Sequence, residues 1–443
     1  MDDRDLLSTE LFTHHVGTYA QPTGPDLLAR TEPYFAWQDA RRELGLWPYS
    51  RSLDYAPTAE CVVRNESGIA SAGLNFSSQD YLGLASHPAI AEAAHRAIRD
   101  FGPHSAGSGM FVGNTAPSLR LEAALGEALE APHVAIFSSG WGAGFATITG
   151  LVRPADHVVM DALAHACLQT GAAAATPNVH RFRHLDNEAV RRRLRDIRSR
   201  DTENAILVIT EGLFSMDSDV PAIEELQAIC REWGATLLVD MAHDFGALGP
   251  RGTGSIGVQG MLGKVDLVMG AFSKTFASNG GFLATRSPAV RQYVRVFGGP
   301  HIFSNAISPV QATVVREALD IVRSEEGDAL RERLMFNVHT LRGLLAERGI
   351  HCLGEPSAVV PVPIGDTPTA RIAGRMLAAR HVFANLVEFP AVPLKGSRFR
   401  MQVMATHTAE QVREAAATVA DTIEEARAWV HGDEELRQAE AAD

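Results

Sequence analysis

From about Val134 onward the chain alternates between short, continuous apolar runs and longer stretches with helical spacing. The runs are VAIF, HVVM, AILVI, TLLVD, VDLVMG and GFLAT. Continuous rather than alternating apolarity is what a strand buried on both faces needs, so the pattern predicts an α/β core: a mainly parallel sheet covered by helices on both sides. Between the runs, Pro117 to Glu130 and Pro221 to Trp233 read as helices, each with a proline near its start, where the missing N–H is not needed. After Ser308 the texture turns mostly helical, and then PSAVVPVPIG and VPLKGSRFRMQVM bracket another helical stretch, which predicts a second, smaller C-terminal α+β domain. The expected organisation is an N-terminal arm over 1–70, a main domain over 71–312, a small domain over 313–431 and an acidic, flexible tail over 432–443. The arm carries LLARTEPYFAWQDARRELGLW, whose aromatic and apolar residues call for a surface to cover, either the core or a neighbouring subunit.

Composition narrows the class of protein. With 46% hydrophobic and 21% charged residues, the chain is neither disordered nor fibrous. Its 53 acidic against 40 basic residues leave a net charge of -13, which argues against a nucleic-acid partner. The opening MDDRDLLSTELFTHH has acidic residues where a signal peptide needs basic ones, and no stretch reaches membrane-spanning length, so a cytoplasmic protein is expected. Cys61, Cys167, Cys230 and Cys352 are far apart and show no C-x-x-C spacing, so neither a disulfide framework nor a metal site is expected.

The candidate chemistry sits at strand ends, where a parallel sheet places its ligands. Lys274, in AFSKT just past VDLVMG, is one of three lysines in the chain, beside Lys264 and Lys395. Arginine holds its proton, whereas a desolvated lysine can be made neutral and used as a nucleophilic amine; the plain alternative is a structural lysine. Asp240 ends TLLVD, with His243 three residues on. Glu211 and Ser215 follow AILVI, and His165 follows HVVM. Taken singly, such an aspartate is more often a cap and such a histidine structural. Taken together they put a carboxylate, imidazoles, hydroxyls and one lysine on one edge. In VAIFSSGWGAGFATITG the fingerprint G-x-G-x-x-G fails at Thr147, and Lys264 lacks the context of a Walker loop, so dinucleotide and nucleotide sites are set aside. Ser138, Ser139 and the open amides of the following helix still make a phosphate seat. A phosphate seat, an aspartate, an imidazole and a lysine converge on pyridoxal 5'-phosphate, which needs each of them.

The motifs NFSSQDYLGLASHP, SSGWGAG, DALAHACL, FRHLD, TEGLFSMDSDVP, LLVDMAHDFGALGPRGTG, AFSKTFASNGG and GSRFRMQVMATHT follow one another from Asn75 to His407. In this the chain resembles the α-oxoamine synthases, fold-type I pyridoxal-phosphate enzymes that include serine palmitoyltransferase, 8-amino-7-oxononanoate synthase, glycine C-acetyltransferase and 5-aminolevulinate synthase. The resemblance implies that the 71–312 domain binds the cofactor. Lys274 would hold its aldehyde, Asp240 its ring nitrogen, His243 its phenolic oxygen and His165 its ring face. Ser139, Gly140 and Trp141, with Ser273 assisting, would hold the phosphate and ring edge, and Ser215 is a further pocket position. Arg400 would pair with an amino-acid carboxylate, with Gln79 nearby in role, and Ser304 and Asn305 would reach the phosphate of the other subunit of a homodimer.

Three positions depart from the family pattern: Ala271 replaces a threonine, Gln79 an asparagine, and Met110 stands near a place where some members carry arginine. The implied reaction is a decarboxylative Claisen condensation of an amino acid with an acyl thioester, carried on coenzyme A or an acyl carrier protein, giving an α-amino ketone with Lys274, His165 and Asp240 as the catalytic set. The alternatives are an aminotransferase or lyase of the same fold and a non-catalytic partner subunit. The first fits FSMDSD and RFRMQ poorly, and the second ought to have lost Lys274.

Overall fold

The computed structural model describes residues 5–440, with side chains for residues 7–432. Its strands, in chain order, are β1 (Ser52–Leu53), β2 (Glu60–Arg64), β3 (Ala70–Phe76), β4 (His133–Phe137), β5 (His157–Asp161), β6 (Val179–Phe182), β7 (Ile206–Glu211), β8 (Thr236–Asp240), β9 (Leu267–Ala271), β10 (Gly281–Thr285), β11 (Val359–Gly365), β12 (Val382–Val387) and β13 (Ser397–Gln402). They form two sheets, one in each of two units.

The larger unit, Gln79–Ser215 with Asp219–Arg333, holds a seven-stranded sheet in the order β4-β10-β9-β8-β7-β5-β6. The strands from β9 to β6 are mutually parallel, while β10 runs antiparallel to both β9 and β4. Every residue of β7, β9 and β10 is buried, as their continuous apolarity requires. The helices expected over 117–130 and 221–233 are Ala116–Ala128, opened by a capping box between Thr115 and Ser118, and Ile223–Glu232. Sequence periodicity misses β6, because VHRF is an edge strand only partly buried and carries no apolar run.

The other unit comprises residues up to Ser78, Met216–Ser218 and residues from Leu334 onward. Its six-stranded sheet has the order β1-β2-β3-β12-β13-β11, antiparallel except for the parallel pair β3 and β12. Gly73 in β3 admits this pairing, since a Cβ there would lie 2.0 Å from the carbonyl oxygen of His381. The segment expected to be a separate arm over 1–70 thus supplies strands to the same sheet as the C-terminal residues. It also packs by helix Glu32–Glu43, whose Trp37 indole donates to the Glu10 carbonyl at 2.9 Å. The boundary expected at 312/313 falls inside helix Pro309–Val322, which packs on helix Pro88–Phe101, and the units divide at Arg333/Leu334 instead. The shift to helical texture at Ser308 marks a helix cap, not a change of unit. Of the tail expected over 432–443, residues 432–440 continue helix Ala409–Glu440 and 441–443 lie outside the described residues. Among the described residues no helix is long and apolar enough to cross a membrane.

Candidate active site

Adjacent parallel strands of the large sheet end in acids. Glu211 of β7 and Asp240 of β8 are register partners, joined past their ends by the Gly212 N–H donating to the Asp240 carbonyl at 2.7 Å. Both side chains are almost fully enclosed, at 3% and 5% exposure. Asp240 Oδ1 accepts the Ala242 N–H at 2.9 Å. Burial pushes its carboxyl up to about 6, against the pull of that amide and of Lys274. Glu211 is pushed well above the ordinary carboxylate range by burial first and then by the charge of Asp240.

Lys274 follows β9 in a loop closed by the Phe272 N–H donating to the Gly280 carbonyl at 2.9 Å. Phe272 and Phe276 anchor the loop in an aromatic cluster with Phe245 and Phe282, which leaves the half-buried lysine between two fixed neighbours. His243, three residues beyond Asp240, is buried and paired through Nδ1 with the Tyr81 hydroxyl at 2.9 Å. His165 caps helix Ala166–Ala175. Its Nδ1 receives the Cys167 N–H at 3.3 Å and lies 3.0 Å from Cys167 Sγ, while its own N–H donates to Glu211 Oε1 at 2.6 Å. Ser139 caps helix Gly140–Leu151 by accepting the Gly142 N–H at 3.0 Å. A Cβ on Gly140 would lie 2.5 Å from Ala271 Cβ, so only glycine lets the helix start come this close to the end of β9.

These residues enclose one cavity of about 280 Å³, lined by Lys274, Asp240, His243, His165, Ser139, Gly140, Trp141 and Ser273 together with Glu211, Cys167, Ala242, Met269, Ala271, Asn279 and Gly280. The other residues singled out from the sequence do not line it. Ser215 and Gln79 are half-buried elsewhere in the large unit, Ser304 lies just ahead of Asn305, and Asn305 bridges to Ser108 and hydrogen-bonds His104 at 3.2 Å. Arg400 belongs to the other unit, on β13 opposite Pro361 and Asn385. Arg398, two residues earlier on the same strand, is buried, ion-paired to Asp217 and donating to the Met216 carbonyl. Tyr81, Cys167 and Asn279 are polar groups of the site to which the sequence pattern assigned no role. Tyr81 stood inside a quoted motif, but only a contact across 162 residues reveals its partner.

The aminotransferase class I and II family profile matches residues 71–419. The 8-amino-7-oxononanoate synthase of Geobacter metallireducens is 36% identical over 77% of this chain and 87% of its own length, and that of Trichlorobacter lovleyi 34% identical over 78% and 88%. Among solved structures, a lysine-to-alanine form of serine palmitoyltransferase from S. paucimobilis, with a bound PLP–myriocin aldimine, aligns at a TM-score of 0.84 and 27% identity, covering 90% of this chain and 99% of that one.

Proposed function

Because the chain belongs to the α-oxoamine synthases of the aminotransferase class I and II family, pyridoxal-phosphate-dependent enzymes that condense an amino acid with an acyl thioester, we propose that it catalyses the decarboxylative form of that condensation and releases an α-amino ketone. The observation that carries this reading is the convergence of Lys274, Asp240, His243 and His165 on one cavity at the strand ends of the large sheet.

The donor set fits the cofactor. A single lysine, an enclosed carboxylate lining the same cavity and a helix start stripped of side chain at Gly140 match an aldehyde, a basic ring nitrogen and a phosphate in turn. When bound, pyridoxal 5'-phosphate supplies an aldehyde that condenses with amines and a protonated ring that draws electrons from the α-carbon of the amino acid.

Lys274 would hold that aldehyde, and its amine, once neutral, would take the α-proton of the amino acid. Asp240, kept from water, would hold a proton on the ring nitrogen. His243, fixed by Tyr81, orients a hydrogen bond to the phenolic oxygen. His165, which lines the same cavity, would cover the ring face and assist loss of carbon dioxide. Ser139, Gly140, Trp141 and Ser273 seat the phosphate, with Ser215 a further pocket residue, and Ser304 and Asn305 serve the second subunit of a homodimer. Arg400 holds the amino-acid carboxylate, and Gln79 tunes which amino acid is taken. In the overall change a bond forms between the α-carbon and the acyl carbon, the thiol leaves with its carrier, coenzyme A or an acyl carrier protein, and the α-carboxylate leaves as carbon dioxide.

The test has two parts. Borohydride reduction of the cofactor-loaded protein followed by peptide mapping is expected to place the cofactor on Lys274; a label on Lys264 or Lys395 refutes the assignment. A screen of amino acids against acyl thioesters, read by mass spectrometry for carbon dioxide and amino ketone, is expected to identify the substrate pair. Keto-acid products without carbon dioxide would indicate an aminotransferase instead.

A further inference from the structure

Three consecutive strands of the large sheet, β5, β7 and β8, end in Asp161, Glu211 and Asp240, so Glu211 stands between two other acids. The outer two are provided for. Asp161 accepts from His184 Nδ1 at 2.8 Å and from the Leu163 and Leu185 amides, and Asp240 takes the Ala242 amide and feels Lys274. Glu211 also feels the charge of Lys274, so one lysine faces two enclosed acids. In the proposed reaction that lysine must shed its proton.

We infer that Glu211 is an un-ionised carboxylic acid in the working protein, a positioning residue that leaves the negative charge of the cavity on Asp240 and ties down the segment carrying His165. Oε1 accepts the His165 N–H at 2.6 Å, so the acid hydrogen of an un-ionised Glu211 belongs on Oε2. Two like charges on paired strand ends, both held away from water, repel each other, and the repulsion favours one of the acids keeping its proton. Glu211 is the one that keeps it, because it is enclosed and has negative charge on both neighbouring strands, which together outweigh the His165 amide and Lys274. The Cys167 thiol, also enclosed and pushed upward by burial, adds no charge to the cluster, and the remaining titratable groups lining the cavity are His165 and His243. A neutral Glu211 does two things an ionised one would not. It spares Asp240 a competitor for positive charge, and it lets an amide replace it without changing the charge of the site.

The catalytic consequence rests on the function proposed above, whereas the protonation state does not. Infrared difference spectra of the full-length, cofactor-loaded protein labelled with ¹³C-glutamate are expected to show an un-ionised carboxyl band at neutral pH that is absent from Glu211→Gln. Glu211→Gln is expected to keep the parent's melting temperature and to exchange the α-proton of a bound amino acid within about threefold of the parent, while Glu211→Ala, which strands the His165 amide, loses about tenfold or more. The inference is overturned by a parent spectrum without such a band, by a Gln variant that fails to fold, or by a Gln variant as slow as the Ala variant. A cofactor label away from Lys274 would instead count against the proposed function and leave the carboxyl band standing.

Discussion

Replacing Asp240 with asparagine is expected to cost activity and raise stability together. The carboxylate lies 5% exposed, and burial lifts it from the ordinary 3.8 to about 6. A folded-state value above the unfolded one means that the native protein binds the extra proton between about pH 4 and 6. The group's contribution to stability therefore falls as pH rises through that window and stays at its lowest above it. The rise corresponds to ~3 kcal/mol of strain at neutral pH, from about 1.4 kcal/mol per tenfold change in proton affinity. Asparagine keeps an oxygen for the Ala242 N–H but carries no charge, so Asp240→Asn in cofactor-free protein gains ~1–3 kcal/mol at pH 8 and little at pH 4. The same variant loses the charge that holds a ring proton in an enclosed site, an electrostatic loss on the order of a hundredfold or more in α-proton exchange. Urea midpoints at pH 4 and pH 8 measure the first effect, and deuterium exchange at the α-carbon of a bound amino acid measures the second. Equal midpoint shifts at the two pH values would refute the burial argument. Undiminished exchange would show that a residue other than Asp240 partners the ring nitrogen.

Arg400→Lys is expected to weaken amino-acid binding by about tenfold, ~1.4 kcal/mol, because an ammonium cannot copy a two-pronged guanidinium contact. Spectral titration with small amino acids checks this. Arg398→Lys should instead lower the melting temperature, since Arg398 is buried against Asp217 and the Met216 carbonyl. If Arg398→Lys weakens the titration and Arg400→Lys does not, the carboxylate contact belongs two residues earlier. His184 donates from both ring nitrogens, to Asp161 at 2.8 Å and Asp219 at 2.9 Å, and must be an imidazolium to do so. Burial pulls its pKa down, but the two carboxylate hydrogen bonds outweigh this and raise it to about 10. Its stabilisation is therefore complete below about pH 6.5 and lost as pH rises through 10, so the melting-temperature deficit of His184→Asn should shrink between pH 7 and 10.5. A deficit independent of pH would mean that the ring is neutral.

The α/β core and the residues gathered at its strand ends are legible in the chain alone, because both are local. An enclosed strand declares itself by an unbroken apolar run, and the residue that follows the run sits at the sheet edge whatever the rest of the fold does. Lys274, Asp240, His243 and His165 were legible for that reason, and so was the helix start at Ser139 and Gly140 that lines the same cavity. What the sequence could not carry is anything that depends on which strands become neighbours. The edge strand β6 has no apolar run to announce it, and β10 reads like its neighbours although it runs the other way. The segment before Ser78 looks like a loose arm until β3 pairs with β12, some 300 residues distant, and Tyr81 looks like one aromatic among others until it meets His243. Arg398 and Arg400 have the same spacing signal and both reach Met216, and the ion pair of Arg398 with Asp217 tells them apart. The placement of Glu211 against Asp240 belongs to the same class: each acid ends its own strand, but the charge that one can hold is set by the other across a register that only the assembled sheet defines.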